Sequence, residues 1–270
     1  MMQRWAMLFL ICSGVAAQVS AEPVFEAGAG LVAVTIPAYP GAEEQKSYLL
    51  PLPYLYYKDE HITLDEEGLI GNLFESEQWE LDASFSGGIP VNSEESSARA
   101  GMPDLDWTIE AGPRLLYYFT DKHADDGFVR AEVFARAAFA TDLSYIDQVG
   151  FRVGVGLEFE QHFSLSDGKK LIWTNKLTAN WANNEFLDYY YGVAEAYARP
   201  DRISFNSQSG YSGTEFSTGL AVRFSQVLLG TFARYQNFSG SNATQSPLLP
   251  SHSNFSIGIG LVWIISSNRY

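Results

Sequence analysis

Along much of this chain, large apolar residues fall on every second position and small or charged residues sit between them. Near the C-terminus the apolar set is Phe255, Ile257, Ile259, Leu261, Trp263 and Ile265, with Ser256, Gly258 and Gly260 among the residues between. Successive side chains of a strand point to opposite faces, so this segment reads as a strand with one greasy and one slim face. The same dyad recurs upstream. Phe151, Val153, Val155, Leu157 and Phe159 oppose Arg152, Gly154, Gly156, Glu158, Glu160 and His162. Trp79, Leu81, Ala83 and Phe85 oppose Glu80, Asp82, Ser84 and Ser86. Further strands are predicted over residues 107–117, 129–139, 171–181, 216–224 and 227–235, and weaker ones over 25–34, 48–58, 61–66 and 186–194. The sum is about twelve strands, within a range of roughly ten to fourteen, and no sustained helical period outside the first residues.

A soluble β-sandwich also alternates. Three features favour an all-β, transmembrane antiparallel β-barrel instead. Several strands are long for a sandwich. Aromatic residues gather at strand ends (Trp79, Trp107, Tyr117, Tyr118, Phe119, Trp173, Trp181), where a membrane barrel carries its girdles. The non-apolar face holds charges in mid-strand, as a wet interior allows. The charges expected to point inward are Glu110, Arg114, Arg130, Glu132, Arg136, Arg152, Glu158, Glu160, Arg223 and Arg234. Their mixed sign suits cross-strand pairing better than a one-sign constriction, so a narrow or stoppered lumen is expected. A small-solute channel is the alternative.

The N-terminus reads as an export leader over residues 1–21: Arg4, an apolar run through Met7, Leu8, Phe9, Leu10 and Ile11, then Val19-Ser20-Ala21 as the first cleavage candidate and Val15-Ala16-Ala17 as the second. Residues 22–270 then form one barrel domain. The sole cysteine, Cys12, lies in the leader, so the mature barrel is not held by disulfides. Composition adds one exclusion: 17 basic against 32 acidic residues, a net charge of −15, leave no basic surface for nucleic acid. No later apolar run is long enough for a spanning helix, so membrane insertion requires a closed barrel.

Sidedness follows from the strand count. With both termini periplasmic, residues 37–46, 197–211 and 239–253 become outer loops, and the short connections Lys58-Asp59-Glu60 and Ser225-Gln226 fall on the periplasmic side. Residues 90–104 break the rule as a long periplasmic loop, and Asn92, Ser93, Glu94, Glu95, Ser96 and Arg99 are its candidate partner-docking residues.

Chemistry is sparse. His61, His123, His162 and His252 are far apart, without metal-ligand spacing. The stretch Asp121-Lys122-His123-Ala124-Asp125-Asp126 places carboxylates beside a histidine, and a solvated acidic tip on the outer side accounts for it. There is no nucleophile elbow or phosphate loop. Tyr54, Tyr56, Tyr57 and Tyr189-Tyr190-Tyr191 read as girdle residues before sugar-binding ones. No catalytic, cofactor or metal residue is assigned, no cofactor is expected, and the chain reads as a non-enzyme.

Several short motifs, in order, carry a resemblance. They are Gly28-Ala29-Gly30, Pro37-Ala38-Tyr39-Pro40-Gly41, Pro51-Leu52-Pro53-Tyr54, Gly101-Met102-Pro103-Asp104-Leu105-Asp106, Gly112-Pro113, Tyr190-Tyr191-Gly192-Val193 and Ser246-Pro247-Leu248. Together they resemble the MipA/OmpV family of outer-membrane proteins over nearly the whole mature chain. One departure is that Ser266-Ser267-Asn268-Arg269 precede the terminal Tyr270, where the family tends to end on an aromatic closing the last strand. The resemblance implies a barrel in the outer membrane of a Gram-negative bacterium, in contact with its lipid. For the family's namesake it implies a scaffold joining a periplasmic lytic transglycosylase to a peptidoglycan synthase. Other members look like adhesins, which keeps a surface adhesin among the alternatives.

Overall fold

The computed structural model describes residues 24–58, 62–65, 68–71, 74–166 and 169–268, the side chains of residues 58–73 excepted. The leader expected over residues 1–21, Cys12, His61, Tyr270 and the connection expected at Asp59-Glu60 lie outside the described residues.

Alternating apolar and small or charged residues produce the strands β1 (Val24–Pro37), β2 (Gln45–Lys58), β3 (Ile62–Asp65), β4 (Gly68–Gly71), β5 (Phe74–Glu75), β6 (Trp79–Gly88), β7 (Trp107–Tyr118), β8 (Gly127–Thr141), β9 (Asp147–Ser164), β10 (Lys170–Ala182), β11 (Gly210–Phe224), β12 (Val227–Asn237) and β13 (Ser253–Ser267). Among the described residues one α-helix, α1 (Asn184–Tyr191), interrupts them. The 13 strands form one antiparallel sheet in the order β4-β3-β2-β1-β13-β12-β11-β10-β9-β8-β7-β6-β5. First and last long strands therefore pair, with Leu31 opposite Leu261. β4 lies against β6, which rolls the sheet into a barrel. Among the described residues the hydrogen-bonded ladder ends at β4 and β5 rather than continuing between them.

The two faces of the sheet differ sharply. On β13, Ile257, Trp263 and Ile265 are 52, 56 and 71 % exposed, whereas the intervening Val262 and Ile264 are buried. Leu157 on β9 and Leu177 on β10 point outward likewise. An apolar surface running around the strands whose side chains are described needs lipid in place of water. Aromatic rings mark both rims. Trp79 packs on Tyr117 (centroids 4.7 Å apart) with Phe119 beyond it, and Trp181 meets Tyr211 at the opposite end. Tyr118, expected in this girdle, instead turns into the lumen and is buried.

Two local misreadings explain a larger correction. Residues 61–66, expected as one strand, are followed by a second, so that β3 and β4 form a hairpin. Residues 186–194, expected as a strand, begin inside α1. The Asn183 side chain caps the helix by accepting from the Phe186 N–H (3.1 Å), and Phe186, Leu187, Tyr190 and Tyr191 form its buried face. The first error adds a strand, the second removes one, and every strand between them runs opposite to expectation. Residues 89–106, with Asn92, Ser93, Glu94, Glu95, Ser96 and Arg99, therefore lie at the same end as residues 38–44, 183–209 and 238–252, not at the end holding the termini. The Asp121–Asp126 turn moves the other way, to the termini end.

Gly150 allows α1 to sit where it does. Its φ is +129°, and a Cβ there would lie 2.4 Å from the Phe186 nitrogen, so β9 bends closely beneath the helix.

Candidate functional site

Strand register sets the inner wall. Asp82 on β6 stands opposite Arg114 on β7, and the pair is bidentate: Arg114 Nε donates to Oδ1 (3.0 Å) and Nη2 to Oδ2 (2.7 Å). Arg114 also lies 3.8 Å from Glu132 on β8, which takes Lys176 of β10 at 2.7 Å. Glu158 on β9 stands opposite both Arg130 and Lys176. Arg130 Nη2 donates to it at 2.7 Å and Nη1 donates to the Tyr118 hydroxyl at 3.1 Å. Nearer the loop end, Arg152 Nε is 2.9 Å from Glu110. Arg136 donates from Nε to Ser84 Oγ (2.9 Å). Opposite charges on neighbouring strands attract, and here they knit five adjacent strands from inside.

A second cluster lies near the termini. Fully buried Glu26 on β1 receives both terminal nitrogens of Arg223 from β11 at 2.9 Å and the Tyr54 hydroxyl at 3.2 Å. Arg223 is three strands from β1, so this pair holds the curvature of the wall. Arg234 of β12 lies 3.3 Å from Glu215. Glu160 takes the His162 ring at 2.8 Å and Thr174 at 3.3 Å. Sequence reading did not single out Glu26 or Lys176, and it read Tyr54 as a girdle residue. The residues around Glu26 are mostly glycine and alanine, which mute the dyad there.

The loop end carries a folded cap. Tyr39, Ala42, Val91, Leu105, Leu187, Tyr191, Phe238 and Leu249 form a common apolar core drawn from all four long connections and α1. Arg99, buried within it, fastens the parts together. Its Nη1 donates to the Tyr190 carbonyl (3.0 Å), Nε to Ser93 Oγ (3.2 Å) and Nη2 to the Pro103 carbonyl (3.1 Å), and it stacks on the Tyr39 ring. Arg202 reaches the Ala98 and Ala100 carbonyls at 2.9 and 3.0 Å. The remaining residues of the proposed docking loop are also used within the cap. Asn92 accepts from the Glu94 N–H, and Glu94 accepts from the Gly101 N–H. Ser93 donates to Pro103, Glu95 pairs with Lys46, and Ser96 donates to Glu44. Tyr190 and Tyr191, read from the sequence as girdle residues, are core residues of this cap, and Tyr54 belongs to the lumen.

Burial pushes the Tyr39 and Tyr190 phenols up to about 12. Phenols ionise near pH 10 in an unfolded chain, so between about pH 10 and 12 the folded cap holds more protons than the unfolded one. Cap stability is therefore complete below about pH 10 and falls as pH rises towards 12, by on the order of 2–3 kcal/mol for each phenol. Tyrosinate absorbance should appear together with loss of protease resistance in residues 183–209. Ordinary tyrosine titration with an intact cap would count against this coupling.

At the termini end, His123 sits in an exposed turn in which Asp121 accepts the His123 N–H (2.9 Å) and Asp125 pairs with Lys170 (3.0 Å). No nucleophile converges on it among the described residues. His162 of β9 lies against this turn, its backbone N–H donating to the Asp126 carbonyl (3.0 Å) and its ring 3.1 Å from the Asp125 carbonyl, whereas His252 is at the loop end.

A lipid-facing antiparallel barrel with an ion-paired interior and a lid of folded loops defines the class: an outer-membrane β-barrel protein. The family follows from the chain itself. Residues 29–265 match the model of "MltA-interacting protein MipA", and the protein belongs to that family. Among curated proteins none matches. Similar solved structures include the NanC porin (10 % identity, 89 % of this chain and 98 % of that one, TM-score 0.34). The outer-membrane protease OmpT from Escherichia coli is 8 % identical over 90 % of this chain and 95 % of its own (TM-score 0.33). The Pseudomonas putida toluene transporter TodX is 11 % identical over 90 % of this chain and 89 % of its own (TM-score 0.26).

Proposed function

We propose that this protein is a non-enzymatic, non-conducting anchor in the outer membrane that holds a murein lytic transglycosylase at its periplasmic end. The observation that carries the reading is a cap with its own apolar core over a lumen lined by buried ion pairs. The family description supplies the class of partner. Bacterial barrels keep short turns and both termini in the periplasm. That rule assigns the cap to the outside and the docking surface to the termini end.

The exposed side chains there include Glu77, Asp121, Asp125 and Asp126, an acidic edge suited to a partner with a basic face. A triple Glu77→Gln, Asp121→Asn, Asp126→Asn variant is expected to weaken capture of a purified lytic transglycosylase ~tenfold at low salt. Glu94→Gln at the other end should leave it unchanged. Failure of the wild-type barrel to bind the enzyme, or equal binding by the triple variant, would overturn the docking assignment. A steady large conductance from the purified protein in planar bilayers would overturn the closed lumen.

A further inference from the structure

Beneath the cap lies a chamber of about 400 Å³ that reaches from the charged wall to the rim at Pro40 and Asp106. Three oppositely charged pairs on its wall neutralise themselves: Glu110 with Arg152, Glu132 with Lys176 and Glu215 with Arg234. Asp106 at the rim accepts from the Tyr145 hydroxyl. Arg136 is left over. Among the described residues it has no carboxylate partner, and its sole protein hydrogen bond runs from Nε to Ser84 Oγ, which leaves both terminal nitrogens free.

Arg136 also stands directly opposite Arg152 across the β8–β9 ladder. Like charges so placed destabilise a sheet. A shared platform nevertheless holds them together. Buried Phe134 carries the Arg136 guanidinium 4.1 Å from its ring centroid and that of Arg152 at 5.8 Å. Gly154 makes room for that ring, since a Cβ there would lie 2.4 Å from it. The platform thus presents an unneutralised planar fork to a chamber also lined by Thr178, Asn180 and Tyr190.

The geometry points to a binding site for a small organic monocarboxylate, held bidentately by Arg136 with Arg152 alongside. A guanidinium fork matches a carboxylate, and hydrogen-bonding groups elsewhere in the chamber suit a polar body. With Asp106 at the rim, the four cations of the lining meet four carboxylates, Glu110 and Glu132 among them, and a balanced chamber accepts a single negative charge more readily than a dianion. This inference is independent of which partner docks at the periplasmic end.

The test uses the full mature barrel in detergent micelles, with benzoate as probe and inorganic phosphate as the multiply charged comparison, followed by titration calorimetry. Saturable benzoate binding should weaken at least tenfold in Arg136→Gln and recover in part in Arg136→Lys, while phosphate binds more weakly than benzoate. Absence of saturable benzoate binding, or equal affinity in wild type and Arg136→Gln, would overturn the site. Phosphate binding as tightly as benzoate would overturn the monoanion assignment. A second measurement needs no variant. Benzoate should protect Arg136 of the wild-type protein from phenylglyoxal, read by peptide mass spectrometry, and unchanged labelling overturns the proposal.

Discussion

Arg114→Met should lower the unfolding free energy by about 3–5 kcal/mol, the usual cost of leaving a buried charge without its partner. Arg114 and Asp82 are 5 and 0 % exposed, and the bidentate pair uses both carboxylate oxygens. Removing the guanidinium strands Asp82 and also strips Glu132 of one of its two cations. Urea unfolding of the barrel in detergent, followed by the loss of its compact migration on gels, would measure the change. A double replacement, Asp82→Leu with Arg114→Met, should recover most of it, because taking out both charges removes the uncompensated one. A double variant no more stable than Arg114→Met would show that the pair is not the unit of stabilisation.

Arg99→Ala should open the barrel. Arg99 satisfies three acceptors, two in its own loop and one on α1. Its loss leaves the Tyr190 and Pro103 carbonyls short of a donor in a buried setting. At about 3 kcal/mol for the lost charge-assisted bonds, the uncapped population rises ~hundredfold. Planar-bilayer recordings should then show discrete openings that the wild type lacks, and trypsin should cut at Arg199 and Arg202. Arg99→Lys should fail to restore closure, since an ammonium does not reproduce the planar fork that meets all three acceptors. A silent Arg99→Ala barrel would place the block deeper, in the ion-paired layer.

Alternation of residue type made the barrel legible from sequence, because a strand of period two records its two faces wherever side chains differ enough to tell them apart. β9 is the clear case: Phe151 to Phe159 face lipid and Arg152 to Glu160 face inward. The record fails where that contrast is weak. On β1 the inward positions carry Gly28 and Gly30, so Glu26 gave no sign of being the buried anchor of Arg223. Direction was less legible than face. Whether a strand runs up or down depends on the parity of everything before it, and one unrecognised hairpin at β3–β4 reversed the chain until α1 restored it. The helix itself had a local signal in the Asn183 cap and the spacing of Phe186, Leu187, Tyr190 and Tyr191, hidden among three consecutive tyrosines. The cap as a whole had none. Its core is assembled from loops far apart in sequence, and no local pattern announces that Tyr39, Val91, Leu187 and Leu249 will meet.

Pairing between β1 and β13 also constrains the order of events during biogenesis. The register brings Glu26 against Ser267 and Thr35 against Ile257, partners at opposite ends of the chain. Neither edge can be satisfied until the final strand has been synthesised and delivered, because an unpaired edge is costly in lipid. Nearest-neighbour hairpins can zip early, but the circle is completed by the slowest kind of contact, one that spans almost the whole polypeptide. Until β13 pairs, the β1 edge has no partner, so insertion of the complete wall waits on the C-terminal strand.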